Sequence, residues 1–139
     1  MNYIGLVAAV AAFLAIWFGH VAVRKIEASA QRLWLPAVAF VAAGLLLEGI
    51  ALVTPDTVIA TAAGIIGITF LWDALELRRQ EKRVRKGHAP ANPRNPRHAA
   101  MLAGSESKAT TEDLLKREPA EELPEKQTRT SVEERGIIY

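Results

Sequence analysis

The chain contains no cysteine. Disulfides, thiolate metal sites and cysteine nucleophiles are therefore excluded, and the redox compartment stays undetermined. It also lacks any Lys or Arg ahead of its first apolar run, Tyr3 to Val23; the first basic residues, Arg24 and Lys25, follow that run. A cleaved secretory signal needs its positive charge first, so that reading fails. Phosphate-binding glycine loops, HExxH and nucleophile elbows are absent, and His88 and His98 have no ligand-spaced partners in the sequence. The chain is accordingly read as non-enzymatic, with no cofactor and no metal.

What the chain does have is three apolar stretches confined to its first 77 residues. Tyr3 to Val23 is about 21 residues long, enough to cross a hydrocarbon core of about 30 Å. Leu33 to Val53 is the second stretch, with Pro36 in its first turn, where a missing N–H costs little. Thr54-Pro55-Asp56 is a tight connection that forces a helical hairpin, and Asp56 suits the N-cap of the third stretch, Thr57 to Leu77. Small residues recur four apart, as in Ala11, Ala15 and Gly19, Ala60 and Gly64, or Ala63 and Gly67. Such faces let helices approach closely in lipid, with Gly64 and Gly67 favoured as contacts because glycine otherwise costs helix propensity.

Charge sets the expected orientation. Residues 1–77 hold three basic side chains, Arg24, Lys25 and Arg32, whereas 78–97 hold eight basic and one acidic, and 98–139 hold six basic and nine acidic. With basic residues after the first and third spans and none between the second and third, the positive-inside rule puts the N-terminus outside and the C-terminus in the cytoplasm. Trp17, Trp34 and Trp72 then all fall near the cytoplasmic interface, where indoles are favoured, and Tyr3 marks the other boundary. The fold class expected is an all-α membrane protein with three transmembrane helices, a basic juxtamembrane helix and a largely disordered tail. The divisions are 1–77 for the membrane domain, 78–98 for the basic helix and proline-rich segment, and 99–139 for the tail.

After Leu77 the helix is expected to continue until Gly87, with Glu81 and Arg85 spaced as a favourable pair. Pro90, Pro93 and Pro96 stand every third residue, which predicts an extended polyproline II connector lying along the lipid, or a partner-binding edge. Later, TTEDLLKRE is a candidate short helix in an otherwise polar stretch with mixed charge.

Four polar residues sit in or beside the apolar spans: Glu48, His20, Asp73 and Glu76. Helical rise carries His20, Asp73 and Glu76 to the same boundary, where a proton relay or weak metal site competes with a hydrogen-bonded cluster that anchors helix ends. The cluster is preferred. Glu48 lies roughly 7 to 8 Å inside the opposite boundary, where an ionisable group is a functional hypothesis by default.

The opening MNYIGLVAAVAAFLAIWFGHVAVRKIE, the LWDALEL stretch, and the RV-x-KG-x-x-P-x-NP-x-R run together resemble a family of small bacterial integral membrane proteins of unknown function. The resemblance covers roughly residues 1–98, is most specific in that run and in His20, Lys25 and Glu27, and implies no catalytic or binding residue.

The expected function is an accessory or scaffold role in a membrane assembly of the bacterial inner membrane. Arg78, Arg79, Lys82, Arg83, Arg85, Lys86, Arg94 and Arg97 would contact anionic lipid headgroups or a partner, which is another protein or a further copy of the chain. Nucleic acid is not expected, because topology already accounts for the charge and no aromatic platform interleaves it. The alternative is a small oligomeric proton or cation transporter or channel using Glu48.

Overall fold

The computed structural model describes residues 3–113. They form four helices: α1 (Ile4–Ser29), α2 (Trp34–Val53), α3 (Thr57–Arg85) and α4 (Pro96–Ala103). The first three are each long and apolar enough to cross a membrane. At 1.5 Å per residue α1 and α3 are about 39 and 44 Å long, so both outrun a hydrocarbon core of about 30 Å and project at the basic end.

Helix α3 is the centre, with α1 packed on one side and α2 on another. The α2–α3 pair is an antiparallel hairpin closed by Thr54-Pro55-Asp56, whose Asp56 carboxylate accepts hydrogen bonds from the Val58 and Ile59 amides at 2.8 and 3.0 Å. That N-cap is worth about 1 kcal/mol. The register of the hairpin follows from three contacts: Ala51 lies against Gly64, Glu48 against Gly67, and Gly44 against Leu71. A Cβ on Gly44 would stand 2.9 Å from the Gly67 carbonyl oxygen, so the two backbones touch there. Gly64 makes only ordinary contact, so of the two glycines favoured from sequence Gly67 is the close one. Phe40 and Phe70 meet edge to face at 5.6 Å on the same interface.

Helix α1 lies parallel to α3 and buries Ala11, Ala15, Gly19, Val23 and Glu27, one residue per turn along a single stripe. The first three are the small-residue row expected from the sequence. Large apolar side chains point the other way: Leu6, Phe13 and Phe18 are 65%, 68% and 60% exposed. Small residues inside and large apolar residues outside is the pattern of helices that pack by close approach and face lipid.

Helix α3 ends as expected. Lys86 is its C-cap and Gly87 adopts φ 76°, with the Gly87 amide donating to the Val84 carbonyl and the His88 amide to that of Arg83. This is a Schellman closure, and it needs a left-handed residue.

Beyond Gly87 the structure corrects one expectation. The proline segment is not an extended strand. Asn92-Pro93-Arg94-Asn95 is a β-turn, with the Asn95 amide donating to the Asn92 carbonyl and Pro93 in the position that favours its fixed φ. Asn95 then caps α4 by accepting from the Arg97 amide, and Pro96 opens that helix. Helix α4 spans the expected division between 98 and 99, and the described residues that follow it turn back toward the end of α3. Ser107 and Lys108 return to the Arg85 carbonyl, and the Ala91 amide donates to Thr110. Val84, Ala91 and Met101 form a small apolar core beneath, flanked by Ala89, Leu102 and Ala109. Most of the expected TTEDLLKRE helix and of the tail lies outside the described residues.

Candidate functional site

The basic end of the bundle is closed by a strap, residues 88–110, that folds back over α1 and α3. Three carbonyls at the end of α1 have no helical partner, as at any helix C-terminus. The strap supplies the donors. Asn92 Nδ2 donates to the Ala28 oxygen at 3.0 Å, and Asn95 Nδ2 donates to Ala28 and Ala30 at 3.1 and 3.0 Å. Arg97 Nη2 donates to the Glu27 carbonyl, which also places a cation at the negative end of the helix dipole.

Glu27 is the centre of this closure. Its side chain is 2% exposed, and its Oε1 accepts from Arg97 Nη2 and from His98 Nε2, both at 2.9 Å. Arg97 Nη1 reaches across to Glu81 Oε1 at 3.1 Å, so one guanidinium ties α1 to α3. His98 is fully buried. The Asn92 amide donates to His98 Nδ1 at 2.9 Å, which makes Nδ1 the acceptor and Nε2 the donor to Glu27. Glu27, Asn92, Asn95, Arg97 and His98 each have at least one polar partner here, and a satisfied buried network favours one arrangement.

One expected lipid or partner contact and one expected ion pair are placed differently by the structure. Arg97 is not a surface cation, because it is spent on Glu27 and Glu81. Glu81 is correspondingly paired with Arg97 rather than with Arg85. Arg79 and Arg83 both reach Glu76, at 3.6 and 2.7 Å, and Arg79 also stacks on the Trp72 ring at 4.5 Å. Arg83 further donates to Gln80 Oε1. Arg78, Lys82, Arg85, Lys86 and Arg94 are exposed, with no ion pair among the described residues.

The intramembrane polar residues divide between two faces of α3. Asp73 is buried against Gly19 on the α1 side, with no hydrogen-bond partner for its Oδ2 among the described residues, and a Cβ on Gly19 would overlap that carboxylate. His20 lies beside it, and its Nδ1 donates to the Ile16 carbonyl at 3.0 Å. Glu76 is drawn away into its arginine pairs. Glu48 sits on the α2 side against Gly67, six residues and about 9 Å along α3 from Asp73. The structure therefore brings His20 and Asp73 together and keeps Glu48 apart. Among the described residues no three His, Asp or Glu side chains are grouped to hold a metal ion.

Sequence reasoning missed Asn92, Asn95 and His98 and gave Glu27 no role of its own. The available signals were the doubled Asn-Pro, in which each asparagine can build a turn or cap, and the position of Glu27 on the stripe of Ala11, Ala15 and Gly19.

No curated protein and no solved structure matches this chain. A family model described as a domain of unknown function, DUF4491, matches residues 2–95, which takes in all three spans, Glu27 and both strap asparagines and stops just before Arg97. The chain belongs to that family, DUF4491, whose function is not known.

Proposed function

We propose that this protein is a non-enzymatic accessory or scaffold component of a membrane assembly, presenting a rigid basic surface to the headgroup region. The observation that carries this reading is the strap. By occupying Arg97, Glu81 and Glu27 internally it leaves Arg78, Lys82, Arg85, Lys86 and Arg94 exposed on an ordered base. Ordered cations held beside membrane spans attract anionic headgroups or an acidic partner surface, each contributing about 1 kcal/mol.

Charge distribution supports a cytoplasmic basic end and an outer N-terminus, and the sequence resemblance supports the bacterial inner membrane. Mild detergent extraction, sizing and identification of co-migrating chains test the accessory role. Stoichiometric migration with a larger complex is the expected result; a homo-oligomer with no foreign subunit would overturn it. Replacing the five exposed basic residues by glutamine is expected to weaken association most at low salt, with the difference shrinking as salt rises, since exposed charges are screened over about 10 Å at 0.1 M.

One observation favours a second reading, an oligomeric proton or cation carrier. Glu48 lies within a span and forms no hydrogen bond or ion pair among the described residues. Such groups are costly and mark ion paths. In reconstituted vesicles Glu48→Gln would then abolish a flux that the unaltered protein supports; equal flux in both would remove this reading.

A further inference from the structure

A second pocket opens beside the strap. It has a volume of about 470 Å³ and lies between the end of α1, helix α3 and Pro90, lined by His20, Arg24, Lys25 and Gln80 among others. Arg24 and Lys25 are exposed and form no ion pair among the described residues. The carboxylate that lines the same pocket, Glu27, is bound by Arg97 and His98 and forms no ion pair with either. Gln80 is buried and its Oε1 accepts from Arg83, which leaves the amide N–H groups as donors. The pocket thus offers cations and neutral donors, the chemistry of a phosphate site.

Directly below, and sharing His20, is a groove of about 390 Å³ lined by Ile16, Ile68, Thr69 and Trp72 as well as Asp73. Thr69 spends its hydroxyl hydrogen on the Ile65 carbonyl, so the wall it contributes is largely apolar. Arg24 is one turn past His20, about 6 Å further along α1. Trp17 and Trp72 are half exposed at the level of Gly19 and Asp73, the depth at which indoles mark a membrane interface. A cationic pocket stacked on an apolar groove at that depth matches the two ends of one amphiphile.

We propose that this paired pocket and groove bind one anionic phospholipid, its phosphate held by Arg24 and Lys25 and one acyl chain lying along Ile16, Ile68 and Trp72. The inference rests on the reading of the basic end as the headgroup-facing end, but it uses none of the five cations of the exposed surface. It makes a specific lipid a ligand lying along the α1–α3 pair, rather than part of a diffuse annulus.

The test is native mass spectrometry of the full chain in detergent, with equal amounts of dioleoylphosphatidylglycerol and dioleoylphosphatidylcholine. One phosphatidylglycerol retained per chain is expected, undiminished by excess inorganic phosphate. Arg24→Gln with Lys25→Gln is expected to weaken retention about thirtyfold, two basic contacts' worth. Ile68→Trp, which fills the groove without touching the charges, is expected to weaken it comparably. Equal retention of the neutral lipid, displacement by inorganic phosphate, or unchanged binding in the Arg24/Lys25 variant would each overturn the site. The glutamine variant of Arg78, Lys82, Arg85, Lys86 and Arg94 separates the two proposals. Loss there with retention in the Arg24/Lys25 variant keeps the exposed-surface reading and sinks the pocket, and the reverse pattern keeps the pocket.

Discussion

Glu27→Ala is expected to release the strap. The substitution leaves His98 Nε2 without an acceptor in a site that is 2% exposed and Arg97 Nη2 with the backbone carbonyl at 27 but no answering charge there, and removing one partner of a buried ionic pair costs about 3–5 kcal/mol. The spans, held by lipid and by the small-residue stripe, are expected to remain helical. Hydrogen exchange resolved by residue reads the difference: the amides of Ala91 and Asn92, which donate to Thr110 and to His98, should lose protection while those of mid-α3 keep theirs. Glu27→Gln retains an acceptor for the imidazole without the charge that answers Arg97, so it should fall between. Full protection of Asn92 in Glu27→Ala would show that the turn and the α4 cap hold the strap unaided.

Gly87→Ala is the second large effect expected. Two costs fall on one methyl group. At φ 76° any L side chain meets its own carbonyl, about 1–2 kcal/mol, and the new Cβ would overlap the Lys108 carbonyl oxygen of the returning segment. The second cost is the harder to relieve, because the obstacle is backbone already pinned by the Lys108 amide to the Arg85 carbonyl at 3.0 Å. Thermal unfolding followed at the strap should show a clear loss, and Gly87→Asn separates the causes. Asparagine tolerates the left-handed region but brings the same Cβ, so matched losses in both variants would assign the effect to crowding. A near-normal asparagine variant would assign it to backbone strain.

The parts of this molecule that were legible in the sequence are those set by neighbours a few residues apart. Asp56 as a cap, Gly87 as a stop and the Ala11, Ala15 and Gly19 row all follow from helical periodicity and terminal hydrogen-bonding needs. The hydrocarbon length requirement did the same for the three spans. The strap was not legible, because its meaning lies in contacts such as Arg97 to Glu27, 70 residues apart in the chain. Three prolines at even spacing suggested an extended segment, yet Asn92 and Asn95 each precede a proline and each turns the chain, so local side-chain hydrogen bonds overrode the proline rhythm. Gly44 escaped notice for a related reason. It belongs to no row of small residues four apart on its own helix and matters through Leu71 and the Gly67 carbonyl facing it.

The parallel placement of α1 and α3 also carries a consequence for biosynthesis. These two helices are not neighbours in the chain, and the hairpin of α2 and α3 can close through a short turn well before α1 joins it. Contacts across so long a separation form late, after the loop between them has been closed. Arg97 and His98 are 70 and 71 residues from Glu27, so their contacts require α1 to stand beside α3. In a chain that stalls earlier, a buried histidine, an unanswered arginine and the Val84 and Met101 surface all face water. Such a chain advertises its own incompleteness to proteases and chaperones, and closure of the strap withdraws that signal.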